Sequence, residues 1–304
     1  MHISPITSSK ISTARDRVKS SLVYEIAVSW RFVSQDLPGS IVPALLFLIA
    51  AWRNQAASLD DLLRGVLYGA ILFFLYAYTF CVSNQMVGVE EDRLNNPERP
   101  LAAGLISDRG ARQRLLISMA LYTFCGWQFG VLEWVFLWQL VTLLYNFGGW
   151  SRHWFTKNLS MALGSLAQLA CAWQLIGPIT GDARRWVILL SFVVFAIIAV
   201  QDLRDIEGDR ESGRRTLPLV WGEKMTRTLL TIGFSALPVL LADWLLLAGG
   251  WTLAVVLCSI GLATLSWMIA ARISLYRTPQ ADHRTYMLFT VIYCAILGSV
   301  AIVL

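Results

Sequence analysis

The chain has 304 residues, of which 56% are hydrophobic and 15% charged, and its formal net charge is +5. A mean hydropathy of +0.58 is too high for an ordinary soluble domain, so the composition excludes that class and indicates a polytopic membrane protein. Five cysteines without a CxxC spacing and three scattered histidines give no sign of a zinc site. No nucleic-acid motif is visible and no protein partner is indicated.

The N-terminal region carries two expectations. Residues 1–20 lack the apolar stretch of a signal peptide, so we expect a mobile tail there and a single transmembrane domain over residues 21–304. Residues 22–32 mix apolar and charged side chains, which is typical of a helix lying along a membrane interface.

Nine apolar segments follow, near the length of about 20 residues that a helix needs to cross a bilayer. They are 34–52, 62–83, 115–129, 131–147, 161–176, 186–200, 228–247, 251–270 and 286–304. With the N-terminus inside, 21 of the 25 Lys and Arg residues lie on one side and four on the other, as expected for cytoplasmic loops. We therefore predict a multi-pass protein of the endoplasmic reticulum or a bacterial inner membrane, with a cytoplasmic N-terminus.

Two acidic stretches lie where apolar segments end. Residues 84–92 read NQMVGVEED after the second segment, and residues 201–210 read QDLRDIEGDR after the sixth. A charged carboxylate near a bilayer core costs roughly 2.5 to 3.5 kcal/mol, so clustered acids there indicate a functional site with a cationic partner. The charge asymmetry places both stretches on the cytoplasmic side.

Helical spacing groups the acids of the second motif. Asp202, Asp205 and Asp209 stand at i, i+3 and i+7, so one helix face would present all three within roughly 60° to 80°. Oxygen-only ligands select hard cations such as Mg²⁺, which also takes substrate phosphates.

The first motif shows a similar stripe. Asn84, Gly88 and Glu91 stand at i, i+4 and i+7, with Asp92 beside them. Two such faces, opposed across a helical bundle, would form an oxygen-rich cage.

Basic residues surround both motifs, as a phosphate partner requires. They are Arg93, Arg99, Arg152, Lys157, Arg204, Arg210, Arg214 and Arg215. Acids, metal and bases together predict a diphosphate clamp. The alternative is a solvated rim in which these charges pair only with one another.

These residues resemble the UbiA superfamily of intramembrane prenyltransferases over nearly the whole chain. That family has an NDxxDxxxD-type first motif and a DxxDxxxD second motif, which bind Mg²⁺ and an isoprenyl diphosphate. The second motif matches here in full and continues as GDRESGRRTLP at 208–218, similar to the family's GDxxxGRxTLP run. NNPERP at 95–100, Tyr145 and Lys157 also suit the family. The resemblance implies an all-α polytopic fold with about nine transmembrane helices around a central cavity.

The first motif departs from the family. Aligned on Asn84 and Asp92, two family aspartates fall on Gln85 and Gly88. Glu90 and Glu91 could replace part of that charge. The NQ…EED version resembles the branch of the superfamily that includes membrane terpene cyclases.

Spacing and resemblance together predict three sets of site residues. The predicted catalytic residues are Asn84, Asp92, Tyr145, Asp202 and Asp205. The predicted diphosphate-binding residues are Arg93, Arg99, Arg152, Lys157, Arg204 and Arg215. The predicted Mg²⁺ ligands are Asn84, Glu91, Asp92, Asp202, Asp205 and Asp209.

Three functions fit this pattern. The preferred one is a Mg²⁺-dependent cyclase of farnesyl or geranylgeranyl diphosphate, because the missing first-motif acids remove groups that would serve an acceptor. The second is a prenyltransferase acting on an aromatic or other lipophilic acceptor. A lipid-phosphate transporter or binding protein is the third, although it would not need two metal-suited acidic faces.

Overall fold

The computed structural model describes the backbone of residues 14–304 and the side chains of residues 23–304 except 38, 94, 95 and 246. Within residues 14–304 the chain is helical and forms no β-strand, as predicted. The α-helices of this part are α1 (Ala14–Val33), α2 (Leu37–Asn54), α3 (Leu59–Val87), α4 (Val89–Asn95), α5 (Asp108–Gln128), α6 (Leu132–Asn146), α7 (Trp154–Gln174), α8 (Gly181–Ile197), α9 (Ile206–Glu211), α10 (Leu217–Trp221), α11 (Glu223–Gly249), α12 (Leu253–Leu275) and α13 (Pro279–Val303). Two 3₁₀-helices, Trp150–Arg152 and Ile198–Leu203, precede α7 and follow α8.

Helix α1 covers the segment that was predicted to lie along the interface. Val23, Ile26 and Trp30 form an exposed apolar set on it, and the Tyr24 hydroxyl ties the helix to the bundle by donating to the Leu105 carbonyl at 2.6 Å. Residues 1–13 of the expected tail lie outside the described residues. The division into a tail and one domain stays a prediction.

Each of the nine predicted apolar segments overlaps a long helix in the described part of the chain: α2, α3, α5, α6, α7, α8, α11, α12 and α13. Five helices in that part are long and apolar enough to cross a membrane, namely α3, α8 with its 3₁₀ extension, α11, α12 and α13. Helix α6 has 15 residues, which at 1.5 Å per residue is about 22 Å and short of a typical hydrocarbon thickness. The membrane fold is confirmed, while nine crossings remain a prediction.

The long helices form a ring that is bridged by packing of α2 against α7. Each packs against the next in chain order, and α13 returns to pack against α2. Polar caps fix where several of them begin: Ser58, Thr180 and Thr252 each accept a hydrogen bond from the backbone N–H three residues on. A ring of this kind can enclose an internal space.

The end of the bundle remote from the acidic motifs is tightly packed. Phe47, Trp173 and Trp186 are fully buried there, and the Phe47 and Trp173 rings lie 5.3 Å apart. Large aromatic side chains at this density leave little void. This end of the bundle is therefore well packed.

Candidate functional site

Arg214 joins the two acidic motifs at one end of the bundle. Its Nη2 donates to Glu91 Oε2 at 2.9 Å, and its Nη1 donates to Asp209 Oδ1 at 3.1 Å. The first and second motifs thus face each other, as the sequence predicted. Arg214 was counted among the surrounding bases but was not predicted as a site residue.

The turn after α9 places Arg214 there. Gly213 has φ +66°, the left-handed conformation that glycine adopts without steric cost. Its N–H donates to the Arg210 carbonyl at 3.1 Å, and the Arg214 N–H donates to the Asp209 carbonyl at 2.9 Å. This is a Schellman C-cap, and it returns Arg214 over Asp209. The glycine of the GR pair was the sequence signal for this contact.

Asp202 is the most deeply buried acid of the site. It is 0% exposed, and its Oδ1 accepts from Lys157 Nζ at 2.6 Å. Lys157 comes from the first turn of α7, so the pair joins α7 to the end of α8. A buried pair needs this close geometry, because each charge alone would lose its hydration without compensation.

Asp205 does not share a helix face with the other two aspartates. The 3₁₀-helix carrying Asp202 ends at Leu203, and α9 begins at Ile206, so Asp205 lies at the junction. Its carboxylate is half exposed and accepts from Arg204 Nε at 3.1 Å. The expected face of three carboxylates reduces to two buried acids, Asp202 and Asp209, because the second motif is not one continuous α-helix.

The first motif is also interrupted. Helix α3 ends at Val87 and α4 begins at Val89, with Gly88 between them. Asn84 points into the bundle, where its Nδ2 donates to Asn146 Oδ1 at 3.2 Å. Gln85 is buried and donates to the Phe32 carbonyl at 3.4 Å, toward α1. Neither position that would carry a family aspartate therefore presents an acid at the site.

Asp92 is buried but pairs within its own loop. Its Oδ1 accepts from Arg99 Nη1 at 2.7 Å and from Asn96 Nδ2 at 3.4 Å. Burial raises the pKa of Asp92, and the Arg99 guanidinium opposes that rise. No direct contact joins Asp92 to the second motif among the described side chains.

Burial and the neighbouring charges also shift the pKa of Arg214. Burial alone would lower its pKa, but the Glu91 and Asp209 carboxylates outweigh this, so the pKa is raised. Arg214 therefore stays cationic between two acids, at a position where a divalent cation would compete for the same oxygens.

The other predicted basic residues lie around the rim. Arg93 pairs with Glu90 at 2.6 Å on an exposed helix face. Arg152 and Arg215 are exposed, and the Arg215 N–H donates to the Arg152 carbonyl at 2.6 Å, which joins the loops before α7 and α10. Their side chains remain available to an incoming anion.

Tyr145 lies beside the buried charges. It is within electrostatic reach of Lys157, Asp202 and Asp209. Its ring centroid lies 5.2 Å from that of Phe80. Tyr145 is only partly buried, so its side chain keeps accessible surface close to these charges.

Tyr286, on α13, lies at the same end of the bundle as these charges. The Arg204 guanidinium lies 4.4 Å from its ring centroid, and Asp205 and Lys157 are within electrostatic reach. Arg204 Nη1 also lies 3.0 Å from His283 Nδ1. Sequence reasoning missed Tyr286, although it opens the ninth apolar segment on the motif side, as Tyr145 closes the fourth.

The carboxylate ligands at this site fit Mg²⁺ if substrate phosphates fill its remaining coordination positions. Among the described residues, no three Asp, Glu, His or Cys side chains converge closely enough to hold a metal alone. Asp202 Oδ2 and Asp209 Oδ2, however, are buried without a hydrogen-bond partner. Buried carboxylate oxygens rarely lack a hydrogen-bond partner. Mg²⁺ commonly takes one or two carboxylates, with waters and substrate phosphates in its other positions.

Three characterised proteins are similar to this chain over most of its length. A somaliensene A/B synthase of Streptomyces somaliensis is 42% identical over 264 residues, covering 87% of this chain and 88% of its own. Two proteins of Hericium erinaceus are also similar. Diterpene cyclase eriG is 34% identical, covering 94% of this chain and 91% of its own, and polyprenyl transferase eriF is 30% identical, covering 92% and 96%.

The fold is found in a solved structure as well. A UbiA homologue from Archaeoglobus fulgidus bound to GPP and Mg²⁺ aligns with a TM-score of 0.66 at 16% identity, over 91% of this chain and 100% of that one. Residues 40–292 match the sequence profile of the UbiA prenyltransferase family. With this match over most of its length, and relatives above 30% identity along nearly all of it, the chain belongs to the UbiA prenyltransferase family.

Proposed function

We propose that this protein is an integral-membrane terpene cyclase that ionises farnesyl or geranylgeranyl diphosphate and cyclises the resulting carbocation, with Mg²⁺ as its cofactor. The observation that carries the proposal is the pair of buried acids Asp202 and Asp209, each with one oxygen that has no hydrogen-bond partner and suits a metal. On this proposal the isoprenyl chain would enter the space inside the helical ring beside them. The relatives named as a synthase and a diterpene cyclase support it.

The residues of this chain would bind the diphosphate at the mouth of the space. Asp202 and Asp209 would hold Mg²⁺, together with the other predicted ligands, Asn84, Glu91, Asp92 and Asp205. When bound, Mg²⁺ supplies positive charge that neutralises the diphosphate oxygens. Lys157 and Arg214 already hold positive charge against these acids and would also face the leaving group.

The chemistry would then be intramolecular. The allylic C–O bond breaks and its electron pair leaves with the diphosphate. A double bond of the same chain supplies the electron pair of a new C–C bond. Loss of a proton gives a cyclic hydrocarbon, inorganic diphosphate and a proton.

The tyrosines and the packed far end would protect the cation. The Tyr145 ring could stabilise a carbocation by about 0.5 to 2 kcal/mol, as could the face of Tyr286 that Arg204 leaves free. The packed aromatic side chains around Phe47 and Trp173 would help to exclude water, which would otherwise quench the cation.

A prenyltransferase is the second candidate. The family description and polyprenyl transferase eriF favour it. The geometry of the first motif opposes it, because Gln85 donates to the Phe32 carbonyl and Gly88 has no side chain. An acceptor would need a base or an orienting group near that position.

An incubation without acceptor separates the two. Purified protein with farnesyl or geranylgeranyl diphosphate and Mg²⁺ should give a cyclic hydrocarbon by gas chromatography and mass spectrometry, and an Asp209→Asn variant should not. No hydrocarbon, with transfer once an aromatic acceptor is added, would establish the prenyltransferase instead.

We also propose that the acidic end faces the cytoplasm, in the endoplasmic reticulum or a bacterial inner membrane. The support is the distribution of 21 and four basic residues over the two sides. In intact cells or vesicles, an impermeant thiol reagent added outside should label a cysteine placed at Arg184 and not one at Arg109. Labelling at Arg109 alone would reverse the orientation.

A further inference from the structure

Two aromatic columns run from the charged mouth into the bundle. One joins Tyr145 to Phe80 at 5.2 Å, Phe80 to Trp138 at 5.4 Å, and Trp138 to Tyr76 at 4.1 Å between ring centroids. On α13, the Tyr286 and Phe289 rings lie 6.3 Å apart, and the Phe289 and Tyr293 rings 6.4 Å.

The inner ends of these columns lie at one depth. Trp138 is seven residues before Tyr145, and Tyr293 is seven after Tyr286. On α7, Gly164 is likewise seven residues after Lys157. Seven residues are two helical turns on the same face, about 10 Å along the axis. The columns therefore end together about 10 Å below the charged mouth.

The columns meet across the bundle at that depth. Tyr76 lies within electrostatic reach of Tyr293. The Tyr293 hydroxyl and Ser165 Oγ are 2.7 Å apart. Tyr76 and Tyr293 are both only partly buried. Tyrosines from α3 and α13 would thus form a floor to the space inside the ring, supported by residues 164–165 of α7.

The Trp138 and Tyr76 rings of this floor pack against Gly164. A Cβ at residue 164 would lie 2.4 Å from Trp138 Cζ3 and 2.8 Å from the Tyr76 hydroxyl oxygen. Real Cβ atoms do not approach other atoms so closely, so both rings pack directly on the glycine Cα. Only glycine allows the Trp138 and Tyr76 rings their present positions.

Only one of the two rings can move to make room for a larger residue at position 164. Trp138 is 3% exposed and its Nε1 donates to the Tyr76 carbonyl at 3.0 Å, so the indole has no room to retreat. Tyr76 is only partly buried, and the atom that meets residue 164 is the hydroxyl oxygen at the end of its side chain, so the Tyr76 ring is the one that can move. An added methyl group would therefore push the Tyr76 ring into the space and make it shallower.

We propose that Gly164 is a specificity-determining residue, which sets the depth of the isoprenoid chamber by seating the Trp138 and Tyr76 rings. The proposal rests on the proposed function, since it takes the internal space to be the chamber for the isoprenyl chain. Chain length was the property that the sequence could not supply, because it depends on this depth.

The test is a graded series of geranyl, farnesyl, geranylgeranyl and geranylfarnesyl diphosphates. Binding affinity and kcat/KM for diphosphate release are measured for the wild type, Gly164→Ala and the control Gly261→Ala. The control adds the same methyl group on an exposed face of α12 with nothing within 4 Å. Gly164→Ala should shift the preference toward shorter chains by about tenfold or more, and Gly261→Ala should not.

Two further variants keep the test decisive. Trp138→Phe removes the ring atom nearest residue 164, so Gly164→Ala/Trp138→Phe should regain the wild-type preference. If Gly164→Ala fails to fold, Trp138→Phe alone should shift the preference toward longer chains, because the Tyr76 ring stacked on Trp138 can settle into the volume that the indole vacates.

Binding and turnover separate the two proposals. Equal length preference in Gly164→Ala and Gly261→Ala, or no shift in Trp138→Phe where Gly164→Ala does not fold, would overturn the role of Gly164. A shift in binding preference without diphosphate release from the wild type would overturn the proposed enzyme activity and leave the role of Gly164 standing.

Discussion

The two acidic motifs lie at the same end of the bundle but hold their charge differently. In the first, Asp92 pairs with Arg99 inside its own loop, and the Glu91 carboxylate is partly exposed. In the second, Asp202 and Asp209 are almost fully buried, and each keeps one oxygen without a hydrogen-bond partner. Because the unpartnered oxygens of the second motif are buried, we expect metal binding to depend most on Asp202 and Asp209, and the first motif to act mainly through the Glu91–Arg214 pair.

The largest effect should come from Asp209→Asn. The amide keeps the size of the side chain but removes the charge that a metal needs, so diphosphate release should fall at least about a hundredfold. Asp60→Asn, on an exposed acid at the opposite end of α3, is the matched control. Near-normal diphosphate release by Asp209→Asn would contradict the assignment of metal binding to the second motif.

Asp202→Asn should abolish activity as strongly but also lower stability. It leaves Lys157 buried without its partner, and breaking a buried pair costs about 3 to 5 kcal/mol. Asp202→Asn/Lys157→Met should regain thermal stability and not activity. Equal melting temperatures for Asp202→Asn and the double variant would contradict the buried-pair interpretation.

An intermediate effect is expected for Arg214→Gln, which breaks the one link between the motifs seen among the described side chains. Diphosphate release should fall about tenfold to a hundredfold, because the motifs lose their mutual position and the leaving group loses a cation. Arg210→Gln, in the same turn and paired only with exposed Glu207, should stay near wild type. Equal losses in the two variants would point to general disturbance of the loop.

Gly88→Asp should have the smallest effect on cyclisation and the most informative one on reaction type. The backbone there has φ −98°, and a Cβ would meet only the Asn84 carbonyl oxygen at 3.4 Å, so the side chain is tolerated. The variant restores the family's acid, and a gain of transfer to an added aromatic acceptor is expected. Gly88→Asn is the uncharged control, and the same gain there would show that charge is not the cause.

The sequence predicts the helices better than it predicts the site. Apolar length located the long helices, and spacing identified both motifs. The prediction that Asp205 shares a helix face with Asp202 and Asp209 was wrong, because a 3₁₀-helix and a new α-helix replace the continuous helix that the spacing assumed. The contacts of Arg214 with Glu91 and of Arg204 with Tyr286 join residues 123 and 82 positions apart in the numbering. Only tertiary packing could reveal those.

The most direct test of the difference between the motifs is a Mg²⁺ titration of diphosphate release by the wild type, Asp209→Asn and Glu91→Gln, with Glu90→Gln as control. Asp209→Asn should need at least about tenfold more Mg²⁺ for half-maximal release, or show none. Glu91→Gln should titrate like the wild type, with a lower maximal rate. A Mg²⁺ requirement raised by Glu91→Gln and unchanged by Asp209→Asn would contradict the assignment of metal binding to the second motif.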